Sequence, residues 1–250
     1  MLVLLPPSET KRPGGRGRSL DVTRLALPTL APQREQVVDA LVRLSADADD
    51  AARVLRLSER QRGEIEANAD LRTAPTMPAV RRYTGVLYDA LDAGSLEAPA
   101  RRWMGRDVLI HSAPFGPVGA LDPIPAYRLA AGTALPGVPP LRRLWAEAVT
   151  AAIRVETPSY VLDLRSEAYV ALGPVPADTP HDYVRVVTRG ADGTTRALNH
   201  FNKHAKGVLV RRLAQDRPRI RSSAAFLDWA ADAGIEVHRE DAGVLALVVE

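Results

Sequence analysis

Met1–Leu5 is a continuous apolar run closed by Pro6-Pro7, and it constrains the fold more than any other segment. Aliphatic side chains at every position leave no solvent face, so the run reads as a strand buried on both sides. Such a strand sits inside a sheet that is covered on both faces. Val108–His111, Tyr160–Leu164, Tyr183–Thr188 and Val244–Val249 have the same apolar, β-branched character.

Helical patterns lie between these runs. Gln33–Leu44 carries apolar residues at 37, 38, 41 and 44. Ala51–Leu57 reads as a short helix, and Ser58 with Gln61 forms a capping-box signal for Glu59–Leu71. Val80–Leu91 is helical, with Gly94 as its stop. Pro140 precedes a helix over Leu141–Val155. Ser166 caps a short helix through Leu172, Asn199 caps His200–Leu213, and Ser222 or Ser223 caps Ala224–Ala233, which Gly234 ends. Asp192-Gly193 between Tyr183–Thr188 and Thr195–Leu198 is a hairpin signal. Ile235–His238 and Val244–Val249 close the chain as a hairpin-like pair. Strands and helices are interspersed without a repeat or a low-complexity linker. The expected class is α+β, with residues 1–250 as a single domain built on one central mixed β-sheet wrapped by helices.

Composition excludes several chemistries. The chain has no cysteine, which removes disulfides, thiolate metal sites and cysteine nucleophiles. No apolar run approaches the ~20 residues of a membrane span, and no cationic segment precedes Met1–Pro7. A cytoplasmic protein with no membrane partner is expected. The formal net charge is only +3, but it is unevenly spread. Residues 203–221 hold seven Lys or Arg against one acid, Asp216. Such a patch suits a polyanion or a solvated helix face. The only lysines are Lys11, Lys203 and Lys206, against 30 arginines. Lysine loses its proton when desolvated and arginine does not, so a chain that writes its cations as Arg keeps Lys where Arg cannot serve.

Four segments carry candidate chemistry. Pro6-Pro7-Ser8-Glu9-Thr10-Lys11 follows the first strand and offers a hydroxyl, a carboxylate and an ammonium where open sheets bind ligands. Ser112–Arg128 is long, rich in Pro and Gly, and without periodicity; it holds Asp122, Tyr127 and Arg128 as polar readers. Asp163–Tyr169 is a strand-to-helix turn with Ser166 and Glu167. Asn199–Val208 reads as a helix packing Phe201, Ala205, Val208 and Leu209 inward, with Lys203 and Lys206 sharing another face. Asn202 lies beside them, and Arg211 and Arg212 follow. His200 and His204 have chelating spacing, but no H-E-x-x-H pattern accompanies them. Neither G-x-x-x-x-G-K-[ST], G-x-G-x-x-G nor G-x-S-x-G occurs. No metal site and no cofactor are therefore expected.

Taken in order, these segments resemble the YaaA family (UPF0246, also DUF328). The resemblance rests on Pro6-Pro7-Ser8-Glu9-Thr10-Lys11, Tyr83-Thr84-Gly85-Val86-Leu87-Tyr88, Ala113–Leu129, Asp163–Tyr169 and Lys203-His204-Ala205-Lys206-Gly207. Phe115 stands where the family has a loop tyrosine, Gly119-Ala120 where it has Arg-Pro, and Asp163 where it has Asn. The resemblance implies a helix-wrapped mixed sheet with a positively charged cleft. It also implies a role in the peroxide stress response, with DNA bound through a helix-hairpin-helix-like element around residues 33–71.

Two functions follow. One is a peroxide stress protein binding DNA or another polyanion in a basic cleft. The acids Asp47, Asp49, Asp50, Glu64 and Glu66 in the candidate helices oppose it. The other is an enzyme acting on a small anionic or nucleoside-like ligand. Its candidate catalytic residues are Lys11, Glu9, Lys203 and Lys206. Its candidate binding residues are Ser8, Tyr88, Asp122, Tyr127, Arg128, Ser166, Glu167, Asn202, Arg211 and Arg212. Both readings place Lys11, Lys203 and Lys206 along one cleft.

Overall fold

The computed structural model of the chain describes residues 1–189, 195–197 and 200–249. Its strands are β1 (Leu2–Leu5), β2 (Met77–Pro78), β3 (Val108–Ser112), β4 (Gly116–Gly119), β5 (Pro123–Ile124), β6 (Val161–Asp163), β7 (His181–Arg189), β8 (Thr195–Ala197), β9 (Val237–Asp241) and β10 (Val244–Val249). Its helices are α1 (Ala31–Leu44), α2 (Ala48–Leu55), α3 (Glu64–Ala69), α4 (Ala79–Arg82), α5 (Val86–Leu91), α6 (Ala98–Asp107), α7 (Leu141–Val155), α8 (Glu167–Val170), α9 (His200–Asp216) and α10 (Ser223–Asp232). None is long and apolar enough to cross a membrane.

The sheet order is β4-β3-β1-β6-β7-β10-β9, with β8 pairing the far end of β7. β1 is internal and parallel to both neighbours: Val3 lies opposite Val108 on one side and Leu162 on the other. All four of its side chains are buried. Each such aliphatic contributes about 1.5–3 kcal/mol of transfer free energy. β6 and β10 also run parallel to β7, whereas β4, β8 and β9 pair antiparallel. The sheet is therefore mixed, as the closing β9–β10 hairpin required. Five strands present their C-terminal ends on one side, and the candidate segments 6–11, 112–128 and 163–169 leave from there.

The helices cover this sheet. α9 lies on β7 and packs along α5 and α6. Gly207 makes the α5 contact possible, because a Cβ there would overlap the Leu87 carbonyl oxygen. On α7, Trp145 is fully buried and its indole N–H donates to the Ala113 carbonyl at 3.1 Å.

Several expectations need correction. Val80–Leu91 is two helices, not one, because Tyr83 is extended and bridges to Lys11. Gly85 follows at φ +93, with the Ser8 hydroxyl 3.3 Å from where its Cβ would stand. The helix ends at Leu91 through Asp92 in the left-handed region, before Gly94. The Ser58–Gln61 capping box exists, yet it opens only one 3-10 turn, and α3 begins after Gly63. The segment 113–127 is not structureless: β4 extends the sheet edge, and β5 pairs with β2. α6 was missed; Pro99 stands in its first turn. On α9, Ala205 and Leu209 are buried as expected, but Val208 is 46% exposed. Asp192-Gly193, Asn199 and the side chain of Phe201 lie outside the described residues.

Candidate functional site

The Lys11 side chain curls back over its own loop. Its ammonium donates to the carbonyls of Ser8 and Glu9, both at 3.1 Å, and lies 4.1 Å from the centre of the Tyr127 ring. Tyr83 stands 5.7 Å away on the same side. Carbonyl dipoles and ring faces hold a cation without neutralising it. Burial, and then the Arg128 guanidinium, pull the Lys11 pKa down to about 7, against the pull of Glu64 and Glu9. A group poised there exchanges a proton near neutral pH.

Tyrosines wall this position. The hydroxyls of Tyr83 and Tyr127 share a hydrogen bond of 2.8 Å. Tyr88 packs on Tyr83 with ring centres 5.1 Å apart and donates to the Pro6 carbonyl at 2.7 Å. Burial pushes the phenols of all three above their ordinary value, so they remain hydroxyls at neutral pH. Phe115 meets the Tyr127 ring edge-on at 5.4 Å. It supplies a packing surface there.

Buried arginines position the loops. Arg82 donates to the carbonyls of Ile124, Pro75 and Arg12, so it grips the residue that follows Lys11. Arg34 does the same for Phe115, Pro117, Ala26 and Val22. Asp122 accepts from the backbone N–H of Ala26 at 2.6 Å and of Gly119 at 2.8 Å. That arrangement makes Asp122 a brace between loops, unlike the ligand reader expected of it. Arg128 is mostly covered, its side chain 15% exposed, with Glu64 at 3.5 Å and Glu9 at 3.9 Å. Glu9 itself projects into solvent.

A second group lies further along the same end of the sheet. Asp163 and Arg165 form a two-point ion pair, Nε to Oδ1 at 2.8 Å and Nη2 to Oδ2 at 2.6 Å. Both side chains are almost completely buried. Arg165 also donates to Nδ1 of His111 at 2.8 Å and to the Gly173 carbonyl at 2.9 Å. With Nδ1 accepting, the ring proton belongs on Nε2, which has no hydrogen-bond partner among the described residues. Burial and then Arg165 hold His111 well below its usual range, hence neutral. Lys206 is 4% exposed, with its ammonium 5.4 Å from the Tyr183 ring centre. Burial lowers it to about 8, and Asp163 opposes the shift.

The two groups connect through Tyr169. Its ring lies 5.9 Å from that of His111, and its hydroxyl is pushed up by burial and then by the Glu9 charge, with Arg128 opposing. Tyr169, itself half-buried, is thus the side chain that senses both groups. Lys203, one turn earlier on α9, is exposed, so the expected shared face of Lys203 and Lys206 divides between solvent and core. Asn202 is half-buried beside it. Ser166 and Glu167 are exposed at the start of α8, and Ser8 is hydrogen-bonded within its own loop to Thr10.

Arg211 and Arg212 go elsewhere. Arg211 donates to the Leu91 and Asp92 carbonyls at 3.0 and 3.1 Å, closing the end of α5. Arg212 pairs with Asp216 at 2.8 Å, four residues on. Sequence reasoning missed Asn68, His111 and Arg165 as parts of this region. His111 and Arg165 are polar residues beside apolar strand runs, a signal that points to buried pairing. Nothing local marks Asn68.

The family described as peroxide stress protein YaaA matches residues 1–234. A UPF0246 protein of Corynebacterium efficiens is 44% identical over 255 residues, with 100% of each chain covered. One from Corynebacterium glutamicum is 41% identical over 258 residues, again covering 100% of both. One from Streptomyces coelicolor is 43% identical over 247 residues, 96% of this chain and 93% of that one.

Proposed function

The chain belongs to the peroxide stress protein YaaA family, and on that premise we propose that it serves the stress response through a small-anion site centred on Lys11. The observation that carries this reading is the Lys11 ammonium, enclosed by two carbonyls and the Tyr127 face with Arg128 beside it. Lys11 and Arg128 attract an anionic group, and the Tyr83 and Tyr127 rings give the flat part of a nucleoside-like ligand an apolar wall. Lys11 then gives or takes a proton as the ligand reacts. Lys206, Asp163 and Arg165 support the site from below, and Ser8, Glu9, Tyr88, Ser166 and Glu167 form its rim.

Calorimetric titration with adenosine monophosphate and with inorganic phosphate tests this. Affinity in the native protein should fall between pH 6 and pH 8 as Lys11 loses its charge, and Lys11→Met should abolish both the binding and its pH dependence. Binding that is indifferent to pH and to Lys11→Met would sink the reading.

A second reading, DNA on the same surface, draws support from Arg12, Arg16 and Arg18. All three are exposed on the loop that follows Lys11. Phosphate contacts by such a rim give an affinity that weakens steeply with salt. The helices of residues 31–69 are a less favourable seat for it. Asp49 and Glu59 there already engage Arg62, and Glu35 and Asp39 engage Arg72. A fluorescence anisotropy titration of duplex and bubble DNA across salt concentrations separates the two readings: a flat salt response removes this one.

A further inference from the structure

The geometry points to a second anion site at the opposite end of the sheet, one that takes the phosphoryl group of a small phosphorylated molecule. A groove of about 390 Å³ opens between the end of α6 and the segment joining α9 to α10. Four guanidinium residues line it, Arg106, Arg217, Arg219 and Arg221, with Asp107 as the one acid and Trp103 as an apolar wall. Met1 and Ser159 also border it. They precede β1 and β6, so the groove is at the N-terminal ends of the parallel strands and remote from Lys11.

The backbone holds these arginines in place. α9 ends at Asp216, and Arg217 takes the left-handed conformation at φ +53 with its N–H on the Leu213 carbonyl at 2.8 Å. A non-glycine residue there carries strain of about 1 kcal/mol. Pro218 follows and prevents the helix from resuming. Ile220 is then buried in the core, which turns its neighbours Arg219 and Arg221 outward. Both arginines line the groove on either side of that anchor.

Their charges are largely uncompensated. Arg106 pairs with Asp107 at 2.6 Å, and Arg217 donates to the Gln215 carbonyl at 2.7 Å. Arg219 and Arg221 have neither a hydrogen bond nor an ion pair among the described residues. Four cations against one carboxylate repel one another in a partly enclosed space, and an anion of two or more charges relieves that repulsion. The planar donor forks of arginine match phosphate oxygens two at a time. The volume suits a diphosphate or a phosphomonoester with a small organic part.

The experiment uses the full chain and inorganic pyrophosphate as probe, followed by calorimetry, with a short single-stranded oligonucleotide as the other arm. Pyrophosphate should bind saturably. In the Lys11→Met background, where the first proposed anion site is disabled, Arg219→Ala with Arg221→Ala should weaken it by at least about tenfold. Replacing both arginines by lysine should recover part of the loss, as charge returns without the fork. Both arginines are exposed, so thermal unfolding should match the native protein and confirm that the fold is intact. The proposal is overturned if pyrophosphate does not saturate. Unchanged binding in that background when both arginines become alanine, or complete loss of binding with Lys11→Met alone, overturns it as well. It is equally overturned if the oligonucleotide binds through these arginines and pyrophosphate does not compete.

Discussion

The side-chain amide of Asn68 grips both backbone polar groups of Arg128, accepting from its N–H at 2.8 Å and donating to its carbonyl at 2.8 Å. Asn68 is fully buried on α3, and the Arg128 guanidinium stands next to Lys11. The helical segment 31–69 therefore sets where the second cation of the candidate site sits. Asn68→Ala should cost about 1–3 kcal/mol, because it leaves two peptide groups without partners. It should also weaken anion binding by the proposed site. Urea unfolding and phosphate titration measure the two effects; a native unfolding midpoint would show that the amide does not hold the loop.

Lys11 ties stability to pH in a definite direction. Its folded pKa, about 7, lies below its ordinary value of 10.5. Between those values the unfolded chain binds a proton that the folded chain does not. Stability should therefore rise with pH across this window, by up to ~1.4 kcal/mol per pH unit from this group, and the full penalty should apply below pH 7. Lys11→Met removes that contribution. The difference between native and variant unfolding free energies, measured from pH 6 to pH 10, should narrow as pH rises. A constant difference would mean that Lys11 titrates alike in both states.

Asp163 and Arg165 form a desolvated pair. Asp163→Asn strands the guanidinium and should cost about 3–5 kcal/mol. Replacing both residues with apolar ones of similar size, Asp163→Leu with Arg165→Met, should recover most of that loss. The double variant leaves Lys206 without the carboxylate that opposes its deprotonation, so the amine should titrate lower still. Urea denaturation reports the first effect. Isotope-resolved NMR of the three lysine side chains reports the second.

Gly207 is a contact point between α9 and α5. Gly207→Ala should destabilise by about 1–3 kcal/mol through overlap with the Leu87 carbonyl, despite the better helix propensity of alanine. Gly132→Ala, where a Cβ meets nothing within 4 Å, is the control and should stay within about 0.5 kcal/mol of native. Equal midpoints for the two variants would mean that the helices part without cost.

What the sequence revealed follows from what each signal encodes. β1 was legible because every side chain in it is apolar, and α7 because Pro140 and a helical stripe agree. The break at Tyr83 was not, because it exists to pair that residue with Lys11, some seventy positions away in the chain. Local propensity holds no trace of such a partner. The same limit applies to the site. Lysine scarcity pointed to Lys11 and Lys206, whose burial bears on titration in a way arginine would not. It gave no means of separating Lys203, since exposure at the start of a helix depends on what lies beyond it. Asp122, Arg211 and Arg212 read as ligand residues because charge in a loop or on a helix looks the same whether it faces a ligand or a neighbouring group of the chain.

The pairing of β1 has a consequence for synthesis. Val3 meets Val108 and Leu162, so the strand at the centre of the sheet is made long before either neighbour. At ribosomal speeds of about 5–20 residues per second, roughly 5–20 s pass before β3 follows. For that interval the nascent chain carries an aliphatic segment with open edges, the kind of surface that chaperones capture. A cell that loses chaperone capacity should lose newly made copies of this protein while sparing those already folded.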